Sequence, residues 1–257
     1  MSNFLFAIEG LDGCGKETQS KLLSEKLTSL GIKNKVVSFP NYNSETGKYI
    51  TSFLHGDFTL PKGAVFPLYS LDRYFSYIND WKTDYDEGIV IICDRYVYSN
   101  VIYQCSHLND LDDFELLRDF ILHYEYGILG LPTPTTTYFL YAENLDLLAD
   151  NMSKRYVGDE SKKDIYEKDF SMLKSCMQSA KRLEFSERDF YHIPCATQKE
   201  MYPKEFISNT ILENVLSYLT YNNIYGFKEK RLSELLQFHS DLKEQVRKEW
   251  EDKYAGR

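Results

Sequence analysis

One loop limits what this chain can become more than any other feature. Residues 7–19 read AIEGLDGCGKETQ, that is, Gly10, four residues, Gly15 and then Lys16. Glycines let successive backbone N–H groups turn inward around phosphate oxygens, and a helix that follows presents its positive end to them. A lysine at position 16 adds a point charge for the β and γ phosphates. The arrangement needs a strand before it and a helix after it, and the pattern predicts both. FLFAIE (4–9) is an apolar run of strand length. KLLSEKLTSLG continues the loop as a helix, with Leu22, Leu23, Leu27 and Leu30 on one face and Gly31 as its stop. One position departs from the usual pattern. A Ser or Thr normally follows the lysine and offers its hydroxyl to magnesium, but here the residue is Glu17.

Four further apolar runs are predicted strands: KVVSF (35–39), IVIIC (89–93), TTYFLY (136–141) and FYHIP (190–194). Strands without polar alternation, separated by helical patterns, predict an α/β fold with a central parallel five-stranded sheet flanked by helices. Ligands of such sheets sit beyond the carboxyl ends of the strands. The loop falls there, and so do Asp94 and Arg95, into which IVIIC runs. An apolar strand ending in Asp is the pattern of a carboxylate facing nucleotide-bound magnesium, often through water. Arg95 carries a planar fork of donors suited to phosphate, or else to a salt bridge beside Asp94.

Composition narrows the partners. With 30 Lys and Arg against 39 Asp and Glu, the chain has a formal charge of −9. Binding to a nucleic-acid polymer is not expected, since phosphate backbones demand clustered cations. The five cysteines (14, 93, 105, 176 and 195) have no C-x-x-C spacing. They read as reduced thiols of a cytoplasmic protein rather than a disulfide or zinc framework. The first residues lack the features of a signal peptide, and no 18-residue apolar run predicts a membrane span.

The motifs also occur in a telling order: EGLDGCGK, FPNY (39–42), LYSLDR (68–73), DRYVYSNVIYQ (94–104), LGLPTP (129–134) and KDIYEKD (163–169). The set resembles the thymidylate kinase family over about residues 4–220, most specifically in DRY-x-x-S-x-x-x-Y-Q. The resemblance implies a three-layer P-loop kinase fold with a lid at about 152–166. It implies ATP as co-substrate, Mg2+, and thymidylate (dTMP) as the phosphoryl acceptor, with thymidine diphosphate as product. ATP would lie on Gly10, Leu11, Asp12, Gly13, Cys14, Gly15, Lys16, Glu17 and Thr18. By the same resemblance Asp12 lies by the acceptor phosphate and Tyr42 near the donor–acceptor junction. Tyr69 would stack on thymine, Arg73 bond a base carbonyl, and Arg95 hold the acceptor phosphate. Ser99 and Asn100 would line the base pocket, Tyr103 crowd the sugar, and Gln104 support that wall. Arg155 in the lid would cover the transferring group, with Tyr166 beside the substrate. Lys16, Asp12, Arg95 and Arg155 are the implied catalytic set, and Asp12, Asp94 and Glu167 the implied metal shell, with Glu17 as a further ligand or a lid ion-pair partner. A homodimer through helices of the core is implied as well.

Each residue has a plainer role open to it. Tyr69 and Tyr103 stand at helical positions and fit as core aromatics, while Ser99 and Asn100 fit as helix caps. Two other functions stay open at this point. One is a kinase of another nucleoside monophosphate or of a deoxynucleoside. The latter would need a base for a sugar hydroxyl and no arginine on an acceptor phosphate, against Arg95 with Asp12. The other is a non-catalytic nucleotide sensor, favoured only by Glu17. The domain expected is 1–220. Beyond it, 221–257 predicts a helical extension with Leu232, Leu235, Leu236, His239, Leu242, Val246 and Trp250 on one face.

Overall fold

The computed structural model describes residues 3–155 and 170–221. Five strands form one parallel sheet: β1 (Leu5–Gly10), β2 (Asn34–Ser38), β3 (Val90–Asp94), β4 (Thr136–Tyr141) and β5 (Phe190–Pro194), in the order β2-β3-β1-β4-β5. The first three are offset by one residue from the runs read in the sequence, and the last two coincide with them. β1 is central because it has no exposed residue: all six positions are buried between neighbours on both edges and helices on both faces. Each fully buried Leu, Ile or Phe there stabilises the fold by about 1.5–3 kcal/mol relative to an exposed one.

Helices supply the crossovers. α1 (Lys16–Ser29) follows the glycine loop and buries Leu23 and Leu27, while Leu22 and Leu30 lie half-buried. Gly31, at φ 78°, ends it, and the Ile32 amide donates back to the Leu27 carbonyl at 2.9 Å. α2 (Glu45–His55) is capped by Ser44, whose Oγ accepts from the Gly47 amide at 2.8 Å. α3 (Lys62–Ser76) continues through a wide π turn at Tyr77–Trp81 into the short α4 (Lys82–Asp86). α5 (Val97–Gln104) leaves the end of β3, and α6 (Leu111–Leu122) runs into a second π turn, His123–Ile128. α7 (Leu145–Arg155), α8 (Phe170–Ser186) and α9 (Lys204–Tyr221) complete the described chain.

Two apolar clusters result. The main one spans both faces of the sheet, and a smaller one joins Ile50, Phe53, Leu54 and Val65 between α2 and α3. Leu68 and Tyr69 pack on the smaller cluster, so it backs one wall of a cleft beyond the carboxyl ends of β1, β2 and β3. All five cysteines are buried and free. No helix among the described residues is long and apolar enough to cross a membrane.

Candidate active site

The glycine loop is shaped by contacts that exclude side chains. A Cβ on Gly10 would lie 2.7 Å from the Leu140 carbonyl oxygen, and one on Gly13 would lie 2.5 Å from that of Leu148. Gly13 and Gly15 both hold left-handed backbone, φ 86° and 87°, which costs other L-residues energy. Lys16, at the first position of α1, is 7 % exposed, and its Nζ donates to the Leu11 carbonyl at 2.9 Å, with Asp12 Oδ1 at 3.6 Å. Burial and the Arg95 charge hold its pKa below the usual lysine value, against the pull of Asp12 and Asp94. A cation this poorly solvated gains more from an arriving phosphate than an exposed one does.

The loop opens on a cavity of about 510 Å³, of a size typical for small-molecule sites. Asp12, Lys16 and Glu17 face it from the loop, and Asp94 and Arg95 from the end of β3. Tyr42 reaches it from the 39–44 loop, Tyr69 and Arg73 from α3, and Ser99, Asn100, Tyr103 and Gln104 from α5. The structure thus gathers residues spread over 93 positions of sequence into one concavity. Leu11 and Cys14 are buried within the loop, and Thr18 is exposed on α1 outside this cavity. Tyr166 and Glu167 lie outside the described residues. So do most of the expected lid, the side chain of Arg155 and residues 222–257.

Arg95 is the electrostatic centre. Its backbone is left-handed, φ 67°, unusual for a side chain of this size. Its guanidinium pairs with Asp12, donates to the Gly10 carbonyl at 3.3 Å, and lies over the Tyr103 ring at 5.7 Å. Burial opposes the charge, but Asp12, Tyr103, Asp94 and Glu9 more than offset it, so Arg95 stays protonated. Tyr103 Oη donates to the other Asp12 oxygen at 3.1 Å. Asp12 is therefore engaged on both oxygens. Asp94 differs: burial raises its pKa against the pull of Lys16 and Arg95, and no hydrogen bond reaches its carboxylate from the described residues.

Three buried acids that the sequence motifs did not single out organise this site. Glu9, at the core of β1, accepts from the amides of Tyr96 and Ser99 (2.7 and 2.9 Å) and from Ser99 Oγ (2.6 Å). It anchors the turn that carries Arg95, although burial raises its pKa. Asp72 accepts from the Asn41 amide and from the Ser44 and Thr46 hydroxyls at 2.7–2.9 Å, pinning the loop that bears Tyr42. Glu125, wholly buried, holds Arg73 by two bonds of 2.6 Å. Asn100 does not cap α5. Its amide donates to Glu125, Ser70 Oγ and the Phe66 carbonyl. Glu17 pairs with Lys21 one turn along at 2.6 Å on the exposed side of α1 while still edging the cavity.

A sequence model of the thymidylate kinase family matches residues 8–205. The chain belongs to the thymidylate kinase family. It is 32 % identical over 164 residues to the thymidylate kinase of Plasmodium falciparum, covering 62 % of this chain and 72 % of the relative. It is 31 % identical over 172 residues to that of Mycobacterium tuberculosis, covering 64 % and 78 %, and 29 % identical over 156 residues to the human one, covering 61 % and 67 %. A solved thymidylate kinase from Candida albicans shares the fold at a TM-score of 0.63, with 24 % identity over 86 % of this chain and 92 % of that one.

Proposed function

We propose that this thymidylate kinase family member transfers the γ-phosphoryl group of ATP to dTMP, giving ADP and thymidine diphosphate. The observation that carries this reading is the guanidinium of Arg95, locked between Asp12 and Tyr103 within the cavity that Lys16 also lines. A fixed cation at that place suits an acceptor that already bears a phosphate. An ionised phosphate oxygen attacks the γ-phosphorus directly and the ADP oxygen leaves, so no general base or covalent enzyme intermediate is required. The chain's task is positioning and charge neutralisation. Lys16 and the loop amides hold the donor phosphates, and Arg95 holds the acceptor. Tyr69 stacks on the base, Arg73 meets a base carbonyl, Tyr42 closes the junction, and Tyr103 with Gln104 bounds the sugar.

Among the described residues no three His, Cys, Asp or Glu side chains stand close enough to form a metal cluster. Mg2+, the ion implied by the family resemblance, keeps most of its waters and takes one or two carboxylates plus substrate phosphates. Bound there, it would neutralise charge on the transferring group. Asp94 fits it better than Asp12, both of whose oxygens are committed to Arg95 and Tyr103. Residues 1–220 form the kinase domain in this reading, although α9 runs one residue past that boundary. Leu116 and Phe120, exposed one turn apart on α6, offer an apolar strip for the homodimer of this reading.

A coupled ADP-release assay over a panel of monophosphates and nucleosides tests the activity. dTMP is expected to be the best acceptor, dUMP a slower one and thymidine inactive. Equal turnover of dUMP and dTMP would overturn the pocket assignment, and ATP binding without turnover of any acceptor would favour the sensor reading.

A further inference from the structure

We infer that Glu125 is a positioning residue that turns Arg73 into a rigid hydrogen-bond donor aimed at a carbonyl of the bound base, and so helps decide which base is accepted. The inference rests on the thymidylate kinase reading above. Arg73 and Glu125 are 2 % and 0 % exposed, 52 residues apart in sequence, and joined side-on through Nε to Oε2 and Nη2 to Oε1, each at 2.6 Å. That geometry consumes two of the five guanidinium N–H groups and leaves three donors on an arginine that lines the cavity. The carboxylate is fixed in turn. Its Oε1 also accepts from Asn100 Nδ2 at 2.7 Å, and Asn100 is itself tied to Phe66 and Ser70 of α3.

Stability does not explain the pair. Burying two charges costs solvation that their attraction only roughly returns, and apolar side chains of similar volume commonly do as well or better. Four residues earlier on the same face, Ile121 is buried in the main core, so an apolar residue at 125 would be the ordinary continuation. What the ion pair adds is orientation. Arginine cannot act as an acceptor, so a fixed Arg73 welcomes a base carbonyl and opposes an exocyclic amino group. The pair thus favours thymine or uracil over cytosine, while the thymine methyl must be read by other contacts.

The experiment is steady-state kinetics of Glu125→Gln with dTMP, dUMP, dCMP and ATP varied in turn, beside thermal unfolding. The amide keeps the shape but offers the guanidinium one acceptor instead of two. The dTMP KM should rise about 10–100-fold, the range for losing a charge-assisted bond, with the ATP KM changed less than about threefold. The preference for dTMP over dCMP should narrow and that over dUMP persist. Glu125→Asp is measured alongside. It retains the charge, is one carbon too short for both bonds, and should show the same split if Glu125→Gln does not fold. A dTMP KM within about twofold of wild type in a folded variant overturns the inference, as does a parallel rise in both KM values. Calorimetric titration of dTMP without ATP separates the two levels. A wild type that binds dTMP without transfer contradicts the activity and leaves the affinity ratio of the variants to test Glu125. A wild type that does not bind dTMP overturns both.

Discussion

Gly13 and Gly15 make a controlled comparison within one loop. Their backbones are nearly the same, φ 86° and 87°, but a Cβ on Gly15 meets nothing within 4 Å, whereas one on Gly13 lies 2.5 Å from the Leu148 carbonyl oxygen and 3.2 Å from its carbon. Left-handed backbone costs an alanine about 1–2 kcal/mol. Part of this is offset by about 0.4–1 kcal/mol from the stiffer unfolded chain. Gly15→Ala should therefore lose about 0–1.5 kcal/mol, or about 0–6 °C in Tm for a chain of this size. Gly13→Ala carries the same backbone cost plus a collision with a helix carbonyl that cannot rotate away. Overpacking of that kind costs about 1–3 kcal/mol, so its Tm should fall a further 2–12 °C, roughly, below that of Gly15→Ala. Differential scanning calorimetry of the two variants, with ATP titration of each, reads the difference directly. If Gly13→Ala melts no lower than Gly15→Ala, the loop is not packed on α7 as described, and the steric reasoning fails.

Other outcomes follow from the same geometry. Lys16 must be charged to hold phosphate and its pKa is lowered, so kcat/KM for ATP should fall on the alkaline side at a pKa below 10.5. Because kcat/KM reports the free enzyme, the limb belongs to unliganded Lys16, and Lys16→Arg should move it out of range in a pH–rate profile. Asp72→Ala removes the shared acceptor of three part-buried donors of the 41–46 loop and should cost about 1–3 kcal/mol in urea unfolding, with a raised dTMP KM. Glu17→Thr breaks an exposed pair with Lys21 and restores the missing hydroxyl. It should keep activity and change the magnesium dependence in a metal titration, and complete loss of turnover would show the carboxylate to be essential. dUMP differs from dTMP by one methyl group, so its kcat/KM should be lower by the equivalent of about 1–3 kcal/mol and still measurable.

The strands and the phosphate loop were legible because they depend on local pattern. An unbroken apolar run marks a strand buried on both faces, and a glycine loop between strand and helix has few other uses. Strand order was not legible, since residues 34–38 and 90–94 pair across a crossover that leaves no local trace. The LYSLDR and DRYVYSN segments carry the resemblance that implies substrate contacts. Yet Asp72 proves to be a loop anchor, and Asn100 a support for Glu125 as much as a pocket wall. Glu9, although it opens the EGLDGCGK motif, and Glu125 carry no spacing signal of their own, and their partners lie 25 to 90 residues away. The π turn that carries Glu125 likewise has no periodicity of its own.

One further consequence belongs to the left-handed turn at Arg95. In a continuing strand, neighbours 94 and 95 would project to opposite faces of the sheet. The turn instead brings both into a single cavity, a carboxylate fit for the donor's metal and a guanidinium fit for the acceptor. On the proposed reading, two substrates would thus be served by adjacent links of one chain, through a peptide unit held by the Ile8 carbonyl and the Phe39 amide, with the next amide, that of Tyr96, tethered by Glu9. Neither half of the site can be retuned by moving this backbone without disturbing the other. Drift toward new acceptors is therefore expected to be easier at α3 and α5, where the base would be read, than at the hinge between residues 94 and 95.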